Sequence, residues 1–276
     1  MSHVFAVTSA KGGVGKTTTA LALSHGLARK LEQAGSKESV LLVDLDPQGH
    51  CAPCMGLQPE RCAGELLLGH AHPEEIIIRA DRSRQSGPSR PNLYLLPATG
   101  HMAIARTQLL ADIVAEALLA GVGRLSPGQP SYLVKRLQDL FADLRQVFAF
   151  VVVDYPSPLD LFWEAVYHGV DGCIVPVKAD YLSAKSAIEH WTRPADQKVE
   201  AIVPTFVRAR QVLSEQTLQE LTRHFGSKRL SRPIPASVRV AEAPAAGGQT
   251  IFEYAPNSAP ARAYWNLVER VYDGKV

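Results

Sequence analysis

SAKGGVGKTTTA, residues 9–20, decides the fold. A phosphate-binding loop reads G-x-x-x-x-G-K-[ST], and it sits between a strand and a helix. Gly15, Lys16 and Thr17 supply the second half of that pattern. The first glycine is replaced by Ala10, and a second lysine, Lys11, follows it. Successive backbone N–H groups in such a loop point inward around phosphate, and the helix N-terminus adds its dipole. Gly12, Gly13 and Gly15 permit the close approach. Lys16 is placed for the β- and γ-phosphates, the Thr17 hydroxyl for Mg²⁺, and Thr18 for the α-phosphate.

Outward from the loop, β-rich apolar runs alternate with helical patterns. VFAV (4–7), VLLVD (40–44), LYLLPA (93–98), FAFVVVD (148–154), GCIVPV (172–177) and EAIVPTFV (200–207) read as strands. Helical patterns cover 17–35 and lie near 103–120, 131–146, 160–168, 180–191, 213–225 and 258–273. This alternation predicts an α/β fold: a mostly parallel twisted sheet with helices on both faces, in a single P-loop domain over residues 1–276. Ligands in such sheets bind beyond the carboxyl ends of the strands. SAKGGVGK, DLDPQ and DYPSP each follow a strand, so they face one crevice.

Asp154 ends its strand as a metal-holding carboxylate does. Asp44 and Asp46 end another, two residues apart and on one side of an extended chain. One orients an attacking water and the other supports the metal shell.

The 276 residues are 46% hydrophobic with a net charge of +2, enough for a large core without disulfides. No stretch approaches the roughly 18 apolar residues of a membrane span. MSHVFAVTSA lacks the features of a secretion signal, so a cytoplasmic protein is expected. Cys51, Cys54, Cys62 and Cys173 make one C-x-x-C without a second pair. His50, His70 and His72 lie near enough in sequence to complete a metal set, but ordinary reduced thiols are the reading adopted. RADRSRQSGPSRP (79–91) and GVGRLSPGQP (121–130) read as solvated surface loops, the arginines of the first being available to nucleic acid.

KGGVGKTT (11–18) resembles the signature of the ParA/MinD family of deviant Walker A ATPases. VDLDPQG (43–49) is similar to switch I of the ParA/Soj branch, and VVVDYPSP (151–158) to its Walker B and switch II. PTFVRARQVLSEQTLQEL (204–221), RPIPASVRVAEAP (232–244) and IFEYAPNSAPARAYWNLVERV (251–271) extend the likeness. DLDPQ together with VRVAEAP favours ParA over MinD. The resemblance implies ATP and Mg²⁺ as cofactors, with nucleotide held by Lys11, Gly12, Gly13, Val14, Gly15, Lys16, Thr17 and Thr18. It implies Thr17, Asp44 and Asp154 at the metal, and Lys11, Lys16 and Asp46 in catalysis. Lys11 would reach the nucleotide of a second subunit, giving a homodimer that forms with ATP. Thr205 and Pro235 match the adenine-contacting region. The departures are QGH followed by CAPC, DYPSP for D-x-P-P-S, and Ala236 in place of an arginine. They fall in switch and partner-contact segments.

Between Thr205 and Val240 seven Arg and Lys residues face two glutamates, an excess of +5. Such an excess makes a phosphate-binding face. Arg208 belongs to it, and Arg210 and Arg239 fall where relatives carry DNA-binding arginines. Backbone rather than base contacts are expected. The family then implies a nucleoid-associated ATPase, non-specific DNA, and a ParB-like or cargo-adaptor activator. The cargo is a plasmid, a chromosome origin or a protein assembly. The alternative is a MinD-like membrane-associated positioning ATPase. In the terminal helix Glu269 and Asp273 balance Arg270 and Lys275, which predicts a docked helix rather than a membrane anchor. A relative of the nitrogenase iron protein would need cysteines after the Walker B strand, and 155–172 has none.

Overall fold

The computed structural model describes residues 2–122, 132–191 and 198–275. The first strand, β1 (His3–Val7), leads through the glycine loop into α1 (Lys16–Gln33) and β2 (Val40–Asp44). Three short helices follow, α2 (Cys51–Cys54), α3 (Ala63–Leu68) and α4 (Pro73–Ile76), then β3 (Ile78–Arg79) and β4 (Leu93–Leu96). The long helices α5 (His101–Val122) and α6 (Tyr132–Val147) precede β5 (Phe150–Asp154). Next come α7 (Leu161–Gly169), β6 (Gly172–Lys178), α8 (Tyr181–Trp191), β7 (Val199–Thr205) and α9 (Val212–Phe225). The chain closes with α10 (Val238–Ala245), α11 (Ile251–Tyr254) and α12 (Ala259–Tyr272).

The strands form one sheet in the order β3-β4-β2-β5-β1-β6-β7, parallel except for the β3–β4 pair. Alternate residues of the central strands enter opposite cores, as the period of two demands. Val4, Ala6, Leu41, Val43, Val151 and Val153 pack beneath α5 to α9. Phe5, Val7, Val40, Leu42, Phe150 and Val152 pack beneath α1, α11 and α12. Each fully buried valine or leucine contributes roughly 1.5–3 kcal/mol. Helices therefore cover both faces, as the strand–helix alternation predicted.

Register brings the strand ends level. Val7 and Asp44 both lie opposite Asp154. The final helix is docked: Tyr264, Leu267, Val268 and Val271 are buried. It crosses α1 closely at Gly26, where a Cβ would stand 2.3 Å from Val268 Cγ2.

The structure keeps Arg79 and the 83–86 tip exposed, as expected of residues 79–91, but corrects the reading of two of the arginines. Arg90 is 1% exposed. It donates to both carboxylate oxygens of Glu253, each at 2.8 Å, and to the carbonyls of Met55 and Gly248. Arg82 donates to the Gly247 carbonyl at 2.8 Å. These arginines tie the loop to α2 and α11, so neither is available to nucleic acid. Of the second loop, 123–130 lie outside the described residues. Helices α2 to α4, α10 and α11 and strand β3 had no counterpart among the predicted elements. They are short and take their stability from caps and packing rather than periodicity. Glu65, Glu75 and Glu253 close capping boxes at α3, α4 and α11.

Candidate functional site

The glycine loop ends at Gly15, the N-cap of α1, in the left-handed region at φ 88°. Gly13, at φ 71°, shares that conformation. No side chain caps α1 and its first turn holds no acid, so its free N–H groups face the crevice. Lys16 lies across the loop and donates to Ser157 Oγ at 2.9 Å. Burial lowers its pKa, while Asp154 and Asp46 act to raise it. The loop is braced from β7: Thr205, 2% exposed, donates its hydroxyl to the Val14 carbonyl at 2.8 Å.

The acidic side of the crevice is deeply buried. Asp44 is 0% exposed and Asp154 1%. Asp44 accepts from the backbone N–H of Asp46 at 3.0 Å and of Cys51 at 3.1 Å. Its pKa is raised, first by burial and then by Asp154. Asp154 is also raised by burial, against the nearby Thr17 hydroxyl. Its Oδ2 accepts from Cys51 Sγ at 3.5 Å, and its Oδ1 is buried with no hydrogen-bond partner. A buried carboxylate oxygen without a donor is costly unless a cation completes it. With Thr17 and Asp44 beside it, this donor set fits a divalent cation. Asp46 is half-buried and is fixed by accepting from the Gln48 N–H at 3.0 Å. The two aspartates thus differ: Asp44 closes the strand inside the core, and Asp46 stands at the crevice edge.

Lys11 stands at the loop entrance with its side chain 35% exposed, 3.4 Å from Asp180 Oδ1. Thr18, Gly15, Phe206, Pro235 and Tyr264 surround a shallow pocket on the other side of the loop. Phe206 holds φ 53°, a left-handed conformation uncommon away from glycine.

Arg208, Arg210 and Arg239 are all exposed. A bridge between Val207 and Pro235 draws the 208–210 turn towards the start of α10. Parallel bridges at Ile202–Leu230 and Val207–Pro235 lay the segment 230–235 along β7. Lys228 and Arg229 therefore sit at the opposite end from Arg208, and the +5 excess is not one patch. Phe206, Val212, Leu213 and Val238 are exposed apolar residues among these arginines.

Sequence reading missed Ser157, Asp180 and Cys51 as site residues. Ser157 was legible only as a departure in DYPSP. Cys51 came into view as half of a C-x-x-C, with nothing in the spacing to aim it at Asp154. Asp180 lies beyond β6, and only the sheet order brings it to Lys11.

A family model described as an AAA domain matches residues 2–197. The chromosome-partitioning ATPase Soj of Thermus thermophilus is 32% identical over 274 residues, spanning 96% of this chain and 94% of that protein. The sporulation initiation inhibitor protein Soj of Bacillus subtilis is 29% identical over 282 residues, 98% of each chain. Among solved structures, the septum site-determining protein MinD of Pyrococcus horikoshii, complexed with Mg-ADP, superposes with a TM-score of 0.72 at 19% identity. That match covers 98% of this chain and 96% of MinD and speaks to the fold. With a phosphate loop bearing two lysines, buried carboxylates level with it, and near full-length likeness to Soj, the chain belongs to the ParA/MinD family of deviant Walker A ATPases, in its ParA/Soj branch.

Proposed function

We propose that this chain is a ParA-type ATPase that hydrolyses ATP to ADP and phosphate, working as one P-loop domain. The observation that carries the reading is the uncapped, acid-free N-terminus of α1, with Lys16 on one side and an unpartnered Asp154 oxygen on the other. That arrangement suits a nucleoside triphosphate with Mg²⁺. Gly12, Gly13, Val14, Gly15, Thr17 and Thr18 line the phosphates, while Thr17, Asp154 and Asp44 hold the metal. When bound, Mg²⁺ neutralises charge developing on the transferred phosphoryl group. Lys16 orients the phosphates, and Asp46, at the crevice edge, positions the attacking water. Thr205 braces the loop beside the base, and Pro235 contacts it.

Lys11 acts across a homodimer. In the isolated chain its ammonium rests on Asp180, at the mouth of the loop. A second subunit's ATP would draw it away, so dimerisation depends on the γ-phosphate. The dimer binds DNA without sequence preference through Arg208, Arg210 and Arg239. A ParB-like or cargo-adaptor protein stimulates hydrolysis and releases it, positioning a plasmid, a chromosome origin or a protein assembly on the nucleoid. The likeness to chromosome-partitioning Soj supports this reading.

A MinD-like membrane role is the second reading, and the exposed Phe206, Val212, Leu213 and Val238 among the arginines favour it. No helix among the described residues is long and apolar enough to cross a membrane. The deciding experiment measures binding to non-specific duplex DNA with ATP, ADP or no nucleotide, across a salt titration. We expect ATP-dependent binding whose log–log salt slope is about −0.9 per phosphate neutralised, weakened in Arg210→Glu. Binding to anionic vesicles with no DNA binding in any state would replace the nucleoid reading with the membrane one.

A further inference from the structure

Cys51 opens α2 directly beneath the acidic end of the crevice. Its side chain is 0% exposed, as is that of Asp44, and Asp154 is 1% exposed. One ligand atom from each of Asp44, Cys51 and Asp154 lies within 4.8 Å of the other two. A tetrahedral zinc-class ion with oxygens at about 2.0 Å and sulfur at about 2.3 Å holds them about 3.5 Å apart. Small side-chain rotations close that difference. The carboxyl of Asp154 is turned towards the thiol, with Oδ2 at 3.5 Å from Sγ, and its buried Oδ1 has no partner. Asp154 Oδ1 thus has no donor of its own, and a cation held by the three residues would complete it.

Hard cations such as Mg²⁺ gain nothing from sulfur, whereas zinc-class cations favour it. We propose that Asp44, Cys51 and Asp154 form a binding site for a thiophilic divalent cation in the nucleotide-free chain. Binding replaces the Cys51 S–H bond with a sulfur–metal bond and releases the proton to solvent. A cavity of about 160 Å³ bordered by Thr17, His50 and Cys54 lies next to the three residues without touching them. Zinc-class ions therefore compete with the family's Mg²⁺ for Asp154. The inference does not rest on the proposed nucleotide cycle, because it concerns the chain without nucleotide.

The test titrates Cd²⁺ into the reduced, nucleotide-free chain and follows the ultraviolet thiolate-to-cadmium charge-transfer band. We expect saturation at one Cd²⁺ per chain, reversal by Zn²⁺, and survival in roughly hundredfold excess Mg²⁺. Cys51→Ala should abolish the band or weaken binding at least about tenfold, since loss of even an outer-shell partner costs about that much. Cys54→Ala and Cys173→Ala should keep it. A band that persists in Cys51→Ala, or that is lost only in Cys54→Ala, overturns the proposal, as does the absence of a saturable band. If Cys51→Ala does not fold, cadmium NMR of the unmodified chain decides. A shift typical of one thiolate with oxygens supports the site, and a shift typical of two thiolates or none overturns it.

Discussion

Lys16 shows how a single charge is prepared for its task. Burial strips water from the ammonium, Ser157 holds it at 2.9 Å, and Asp154 and Asp46 keep the charged form favourable. The same residue-scale logic separates the two aspartates of the DLD segment. Asp44 spends its oxygens on backbone N–H groups inside the core, whereas Asp46 is half-buried at the crevice edge. Asp46→Ala should therefore still bind ATP and dimerise, while phosphate release falls on the order of a hundredfold or more; undiminished release would remove Asp46 from catalysis. His25 offers a pH test remote from the site. It is 2% exposed, its Nδ1 lies 2.7 Å from Thr250 Oγ1, and burial pushes its pKa down to about 4. Arg90 and Arg29 add to that shift and Glu253 opposes it. Below the unfolded value of about 6.5 the unfolded chain takes up this proton first, so stability is lost as pH falls from there towards the folded value. Between about pH 7.5 and about pH 5 the loss from His25 should reach roughly 2 kcal/mol. His25→Asn, which retains a partner for Thr250, should show a correspondingly smaller acid loss in urea titrations at the two pH values.

At the scale of elements, the more deeply buried of two arginines that hold the segment after β2 is Arg90. Arg90 binds Glu253, the residue that closes the capping box of α11, and the carbonyls of Met55 and Gly248. It thus fastens the end of α2, which carries Cys51 and follows Asp46, to the C-terminal helices. Arg90→Ala leaves Glu253 partly buried without its counter-charge and should cost roughly 3–5 kcal/mol. Adding Glu253→Ala should cost less than it does alone, because the partner is already gone. Urea midpoints of the single and double variants measure the coupling, and strict additivity would refute the clamp.

For the whole molecule, the position of Lys11 carries the largest prediction. Its ammonium lies at the mouth of the loop, 35% exposed, with Asp180 as its ion-pair partner at 3.4 Å. Burial acts to raise the pKa of Asp180, but Ser183, Lys11 and Lys178 together hold it below the usual carboxylate range. Asp180 is therefore charged at neutral pH and keeps Lys11 in the isolated subunit until a stronger anion arrives. Lys11→Ala should bind ATP but fail to form the ATP-dependent dimer; a dimer of normal mass by light scattering would refute the trans role.

The sequence by itself determined the phosphate loop, the parallel α/β sheet and the family. These follow from local rules: glycines where the backbone must turn, apolar runs where strands are covered on both faces, and an amphipathic final helix that had to dock. It also directed Asp44 and Asp154 to one edge, because strand ends in such sheets converge there. Only the tertiary structure decided that Arg90 is an internal clamp rather than a surface cation, since its partner Glu253 is 163 residues away. Only it split the basic excess between the two ends of β7, turned Cys51 onto Asp154, and brought Asp180 to Lys11. Each depends on side chains meeting across the sheet order, where distance along the chain carries no information about distance in space.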